Sequence, residues 1–512
     1  MPLLGSILKR GIELRGLVLP EPNRPIKYQR KALKKLLAKA QFTHFGQHYN
    51  FGGILNSRHF IKTYQQTVPI HDYNTIFSQW WNKCLHYEEN VCWPGQVKYF
   101  ALSSGTSESS SKHIPVTLDM VKSIKKTSLR QFFSLGNYDV PKEIFQKGIL
   151  MLGGSTQLQN HGSYYEGDLS GITASKIPFW FQHFYKPGKR ISKQKDWNLK
   201  LDEITEMAPS WDIGVIVGVP AWLQMLLEKI IARYKLNNIH EIWPNLSIYV
   251  HGGVSFEPYK KSFNALLGKP LKYMETYLAS EGFIALQEYP DRAMNMVLNN
   301  GLFFEFIPFN DQNFTPDGDL LGKPQTLLID EVKENDEYAL LLSTNAGAWR
   351  YLIGDVIKFT NKQRCEIKIV GRTKHYLSLC GEHLSVDNMN KAVQMVSEEL
   401  NIAIPEFTVS GIPYGTLFAH KWYVGCDDAV NAELLKIKID EKLKILNDDY
   451  RVERASALKE IIVEVLPTAV FLNWMKQNGK IGSQNKFPRV MKKQLHESWS
   501  EFVQQSVGQK LK

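Results

Sequence analysis

Cysteine is scarce in this chain and poorly placed for pairing. The five residues, Cys84, Cys92, Cys365, Cys380 and Cys426, include no CxxC pair, and an odd number cannot all pair within one chain. A disulfide scaffold is therefore excluded, and a reducing, cytoplasmic compartment is expected. Long hydrophobic runs are missing too. No stretch approaches the roughly 20 uncharged apolar residues of a membrane span, and Met1–Pro20 carries Lys9, Arg10, Glu13 and Arg15 where a signal would be apolar. Neither export nor a membrane anchor is expected. Internal repeats and low-complexity tracts are lacking, and so is the GxxxxGK[ST] phosphate loop. No nucleic-acid motif stands out, so no nucleic-acid partner is expected despite a formal net charge of +11.

What is present is ample material for folded domains. A chain of 512 residues, 43% of them hydrophobic, exceeds the roughly 250–300 residues at which a single core stops growing. The basic excess is spread out, with modest clusters at Arg30–Lys39, Lys186–Lys200 and Arg489–Lys493. Such clusters are solvated faces or the rim of an electropositive cleft for an anion.

Residues 27–40 place Ala32, Leu33, Leu36, Leu37 and Ala40 at helical spacing between lysines, which predicts an amphipathic helix. KYFALSSGTSESSSKHIPVT at 98–117 reads as strand, small polar loop and second strand from near His113. The middle alternates apolar runs (GILMLGG, IGVIVGV, LSIYVHGG, KYMETY) with helical patterns, and Pro220 stands at a helix start, where proline is favoured. From about 302 shorter β segments take over. The succession predicts an α/β fold: a large N-terminal domain with β-sheets flanked by helices plus a β-rich subdomain, and a small α+β C-terminal domain. The boundary is expected at 371/372, giving domains 1–371 and 372–512.

Four constellations carry possible chemistry. Ser103-Ser104-Gly105-Thr106-Ser107-Glu108 and the serines up to Lys112 supply hydroxyls, exposed N–H groups and a cation that can wrap phosphate, although a serine-rich loop is as readily a solvated linker. Tyr277-Leu278-Ala279-Ser280-Glu281 puts an aromatic that can stack on a base four residues before a carboxylate that can hold Mg²⁺; a packed tyrosine and a surface glutamate have the same spacing. Asp355, closing Tyr351-Leu352-Ile353-Gly354-Asp355, can accept both ribose hydroxyls or simply cap its own turn. Lys480 and Lys486 lie on a glycine-broken polar loop, from which a lysine can enter a cleft or remain in solvent.

In order and spacing, the four together resemble the Gretchen Hagen (auxin-responsive promoter) family of acyl acid amido synthetases, in its bacterial type, within the adenylate-forming superfamily of acyl-CoA synthetases, adenylation domains and luciferases. SSGTSE at 103–108 resembles the family's phosphate loop, YLASE at 277–281 its Tyr-x-x-Ser-Glu motif and YLIGD at 351–355 its Tyr-x-x-Gly-Asp motif, with support from VGVPAWL, IWPNLSIYVHGG, GRTKHYLSLCGE and NKFPRV. Where superfamily members often carry arginine directly after the tyrosine of the last motif, this chain has Leu352.

The resemblance implies ATP-dependent activation of a carboxylic acid as an acyl adenylate, with transfer to the amine of an amino acid or other acceptor. ATP and Mg²⁺ would be the cofactors. By position, Ser104, Thr106 and Ser107 would hold the β- and γ-phosphates, Tyr277 would stack near adenine, Ser280 would touch the α-phosphate and Glu281 would bind Mg²⁺. Asp355 would take the ribose hydroxyls and Arg372 would sit near them. Lys374 would lie near the hinge of a mobile C-terminal domain, and Lys486 would be the catalytic lysine at the carboxylate and α-phosphate. The acid is not named by the sequence; Trp180, Phe181, Tyr185 and Trp222 are candidate pocket walls. The alternatives are a carboxylate–CoA ligase, which shares the first half-reaction, and a nucleotide-binding protein without catalysis.

Overall fold

A computed structural model describes residues 24–104, 111–177, 182–253, 256, 259–315, 318–374, 376–377, 379–382, 384–478, 487–491 and 493–508. They form two compact units, the first running to Ser103 and from Lys112 to Thr373, the second taking in Ser104, Ser111 and the chain from Lys374 onward.

The first unit opens on helix α1 (Pro25–Ala40), whose buried face is Ala32, Leu33, Leu36, Leu37 and Ala40, as the spacing predicts. One buried polar residue on that face, Gln29, fixes the helix in place. Its amide donates to the carbonyls of Leu298 (2.8 Å) and Leu302 (3.1 Å) and accepts from the N–H of Phe304 (2.7 Å), so a buried polar group is fully used.

Strands β1 (Tyr99–Ser104) and β2 (Ser111–Val116) flank the serine-rich segment. Thr117 then caps α2 (Leu118–Ser134), accepting from the N–H of Met120. Next come β3 (Gly148–Leu152), β4 (Gln159–Asn160), β5 (Tyr165–Gly167) and β6 (Tyr185–Lys186), then α3 (Trp197–Met207) and β7 (Ile213–Gly218). Pro220 is the first residue of α4 (Pro220–Tyr234), where its missing N–H costs nothing. The unit continues through β8 (Ile248–Gly252), β9 (Lys272–Ala279), β10 (Gly282–Leu286), β11 (Met294–Met296), β12 (Leu302–Pro308), β13 (Glu337–Thr344), β14 (Tyr351–Asn361) and β15 (Glu366–Arg372).

Four short strands make a sheet in the order β2-β1-β5-β4, and an 11-stranded sheet runs β12-β13-β14-β15-β11-β10-β9-β8-β7-β3-β6. The larger sheet has two halves. Strands β6, β3, β7, β8 and β9 are parallel, whereas β9 onward to β12 pair antiparallel. The β segments after 302 thus extend the same sheet. The parallel strands are near-continuously apolar, β7 being buried at Ile213–Ile216, as strands covered on both faces must be.

In the second unit, β16 (Tyr376–Leu377) pairs with β17 (Leu384–Ser385), and Ser385 and Asn388 form a capping box at the start of α5 (Val386–Leu400). Strands β18 (Glu406–Tyr414), β19 (Leu417–Gly425) and β20 (Leu458–Leu466) form a three-stranded sheet, β19 and β20 being parallel and joined through α6 (Ala432–Leu446) and α7 (Asp448–Ala455). Helices α8 (Thr468–Gln477) and α9 (Lys493–Gly508) complete it. Among the described residues no helix is long and apolar enough to cross a membrane.

Candidate active site

Two tight backbone features in the first unit deliver the chemistry. Strands β9 and β10 are joined by Ser280 and Glu281 alone, with Gly282 at φ +149° immediately after. A Cβ on Gly282 would also come within 3.1 Å of the Leu302 side chain. The turn leaves Ser280 half-buried and Glu281 7% exposed. On β14, Gly354 has φ +92°, a conformation that favours glycine, and its carbonyl accepts from the N–H of Thr373 (2.8 Å). Asp355 follows directly. It pairs in register with Arg372 on β15.

Asp355 is the centre of the cluster. Arg372 Nε donates to its Oδ1 at 2.7 Å, and the Tyr277 hydroxyl donates to its Oδ2. Tyr277 is itself buried in the main core, and burial, then the Asp355 charge, push its phenol well above the usual range. It therefore stays protonated as a donor. Glu281 is raised to about 7, first by burial and further by Asp355, while Lys112 and Arg372 pull the other way. Lys112 also lies 5.3 Å from the Tyr73 ring centroid. Two carboxylates are thus balanced by two cations on strands of one unit.

The structure brings Tyr277, Glu281, Asp355 and Arg372 together, with Ser280 in the adjoining turn. Ser104 ends β1, but its side chain lies outside the described part, as do Thr106, Ser107 and Lys486 altogether. Lys374 begins the C-terminal stretch of the second unit. Leu352 packs against the apolar cluster of Ile307, Phe314, Ala339 and Leu341, so an apolar contact occupies the place of the superfamily arginine.

Ligands of open α/β sheets bind beyond the carboxyl ends of parallel strands, which here are the ends of β7, β8 and β9. Gly252 closes β8 against β9, where a Cβ would meet the Thr276 carbonyl oxygen at 2.5 Å. Beside it His251 is buried among Tyr249, Phe256 and Tyr273. Burial lowers its imidazole to about 4, and its Nδ1 has no hydrogen-bond partner among the described residues. Of the candidate pocket walls, Trp222 packs on Trp197 at 4.7 Å and Tyr185 bonds Ser192. Trp180 and Phe181 lie outside the described residues.

Sequence reasoning missed the hydroxyl link from Tyr277 to Asp355, which spans 78 positions, and nothing in the sequence signals it. It also missed the clamp of Glu166 by His113 (3.1 Å) and His161 (2.8 Å) beside the serine-rich strands. Lys112, visible as the cation ending the serine run, was not matched to Glu281.

The fold is that of GH3 and adenylate-forming enzyme structures. It is shared with the solved GH3.15 acyl acid amido synthetase in complex with 2,4-DB (16% identical, TM-score 0.58, covering 97% of this chain and 96% of that one). It is also shared with 2-hydroxyisobutyryl-CoA ligase in its thioesterification state (12% identical, TM-score 0.59, covering 95% and 93%). The chain matches the GH3 family N-terminal domain over residues 21–198 and 156–272, the central domain over 295–372 and the C-terminal domain over 387–495. It belongs to the GH3 family.

Among its relatives, jasmonoyl-L-amino acid synthetase JAR6 of Nicotiana attenuata is 24% identical over 459 residues, 75% of this chain and 76% of that protein. Indole-3-acetic acid-amido synthetase GH3.4 of Arabidopsis thaliana is 26% identical over 280 residues. That match spans 49% of this chain and only 45% of the Arabidopsis protein.

Proposed function

We propose that the protein is an ATP-dependent acyl acid amido synthetase, which activates a carboxylic acid as an acyl adenylate and transfers the acyl group to the amine of an amino acid. The observation that carries this reading is Asp355, held by Tyr277 and Arg372 beside the buried carboxyl of Glu281. Membership of a family whose relatives are acid–amino acid synthetases supports it. Five buried free thiols fit a reducing cytoplasm.

In the first half-reaction a carboxylate oxygen attacks the α-phosphorus of ATP, the bond to the β-phosphate breaks and pyrophosphate leaves. In the second, a neutral amine attacks the acyl carbon, AMP leaves with the C–O bond electrons, and the nitrogen gives up a proton. Asp355 orients the nucleotide through its ribose and Arg372 holds Asp355, so much of the protein's task is positioning. We assign Ser280 to the α-phosphate and Ser104, Thr106 and Ser107 to the β- and γ-phosphates; Tyr277, whose ring is buried in the core and not open to stack on adenine as expected, acts on the nucleotide through its hydroxyl on Asp355. Lys486 would neutralise charge on the carboxylate and α-phosphate.

Glu281 fits a magnesium ligand. Among the described residues no three His, Cys, Asp or Glu side chains gather as a metal site, but Mg²⁺ commonly takes one or two carboxylates and completes its shell with phosphates and water. A cation would also relieve the buried charge. When bound there, it would supply offset of phosphate charge as pyrophosphate leaves.

We further propose that the C-terminal domain expected at 372–512, which begins in the structure at Lys374 and so leaves Arg372 on β15 of the first unit, acts as a mobile domain with Lys374 at the hinge. The division of compact units after Thr373 and the family C-terminal match from 387 support it.

The test is acid-dependent exchange of labelled pyrophosphate into ATP over a panel of acids, followed by mass spectrometry of products formed with amino acids or with CoA. An N-acyl amino acid is expected. A CoA thioester as the only product would replace the reading with a ligase, and ATP binding without exchange would remove the enzyme altogether.

A further inference from the structure

An ionised carboxylate offers about four lone-pair directions, and the described residues use one on each oxygen of Asp355. Tyr277 donates to Oδ2 and Arg372 Nε donates to Oδ1. The donors come from β9 and β15, so together they fix both the position and the rotation of the carboxylate. What remains is one acceptor direction on each of two neighbouring oxygens, the pattern that matches a vicinal diol. The Tyr277 ring is only 6% exposed within the core, so the part of this residue committed to the site is its hydroxyl.

The geometry points to Tyr277 as a positioning residue that makes the site selective for ribonucleotides, its hydroxyl locking Asp355 in the rotation that accepts both hydroxyls of a ribose. This rests on the reading that Asp355 binds the ribose. A deoxyribose presents one hydroxyl where the carboxylate is set for two, so it gains less from the lock. Tyr277 therefore acts through Asp355, and its contribution depends on the sugar.

The experiment is acid-dependent pyrophosphate exchange with ATP, 2′-deoxy-ATP and 3′-deoxy-ATP on the full chain, comparing the unaltered protein with Tyr277→Phe and Asp355→Asn. Tyr277→Phe keeps the ring and removes the donor. It should lower kcat/KM for ATP by about tenfold, the worth of one hydrogen bond to a charged acceptor, mainly through KM. With either deoxynucleotide the loss should be several times smaller, so the preference for ATP shrinks. An equal loss with all three nucleotides would mean a stacking or folding role and would overturn the inference. The double variant Tyr277→Phe/Asp355→Asn leaves no buried carboxylate short of a donor, which guards against simple instability. It should match Asp355→Asn alone; a further loss also overturns the inference. If the unaltered protein and Asp355→Asn both treat ATP and its deoxy forms alike, the ribose reading itself has failed.

Discussion

Glu281→Gln should make the ligand-free protein more stable while disabling it. Glu281 is 7% exposed, and its carboxyl is raised from 4.5 to about 7, chiefly by burial. An acid whose folded pKa lies above its unfolded value favours folding when protonated and loses that advantage as the pH climbs through the folded value. At pH 8 the folded protein therefore carries a charge that the unfolded chain accommodates more easily in water. A shift from 4.5 to about 7, at roughly 1.4 kcal/mol per unit, sets this cost at up to about 3 kcal/mol. The neutral amide of nearly the same shape removes it.

Scanning calorimetry without nucleotide or Mg²⁺ should show Glu281→Gln melting about 5 °C higher at pH 8. Near pH 5, where the native carboxyl is protonated but the unfolded one is still mostly charged, the difference should shrink to about a quarter, and it should vanish below the unfolded value of 4.5. Acid-dependent exchange at ordinary Mg²⁺ should meanwhile fall by an order of magnitude or more. A variant no more stable than its parent at pH 8, or equally stabilised at both pH values, would refute the electrostatic argument, and retained exchange would remove Glu281 from the metal.

Arg350 is buried and gives the Nε–Nη2 edge of its guanidinium to the two oxygens of Glu305 (3.0 and 3.0 Å), with Nη1 donating to the carbonyls of Gln65 and Val68 and Nη2 also to Thr326. Arg350→Met should cost the first unit about 3–5 kcal/mol in urea denaturation by stranding Glu305, and adding Glu305→Leu should recover much of that. In the second unit, burial alone would raise Glu382, but the hydrogen bond and charge of His420, then the Cys380 and Leu379 amides, hold it below its usual value. Its contribution is thus present above pH 4.5 and lost as the pH falls through the lowered value, so Glu382→Gln should weaken hydrogen-exchange protection of the Leu379–Gly381 amides more at pH 7 than at pH 3.5. Lys486→Ala should abolish acyl-adenylate formation with ATP binding largely intact, measured by exchange and by calorimetric titration; unchanged exchange would put the catalytic cation elsewhere.

What could be read in the sequence follows from how far each signal reaches. The apolar face of α1, Pro220 at the start of α4 and the strands around the serine-rich loop are local, since periodicity and turn chemistry act over a few residues. Tyr277, Glu281 and Asp355 were identifiable one motif at a time. Their assembly was not, because a hydroxyl meeting a carboxylate 78 positions away leaves no periodic trace. The same holds for Arg350. It stood in plain view beside Tyr351, yet its partner Glu305 lies 45 positions back on β12. The joining of the late β segments to the parallel strands depends on β11, a three-residue strand bridging β10 and β15, too short for alternation to reveal.

That bridge explains why the site can be rigid where it must be charged. Burying Glu281 and Asp355 near one another is unfavourable, and each would move away if the backbone yielded. The backbone has little freedom to yield. Glu281 sits in a turn between two paired strands, Asp355 faces Arg372 across a ladder, and β14 is anchored just upstream by the Arg350 fork. The repulsion is therefore held rather than relaxed. With Lys112 and Arg372 the cluster is close to neutral before any ligand arrives, so it has no surplus positive charge to spend on a triphosphate. A nucleotide must then meet further donors and cations beyond this cluster, which is the role proposed for the serine-rich loop, Mg²⁺ and Lys486. Each should consequently matter more for catalysis than for folding, the reverse of what is expected for Arg350.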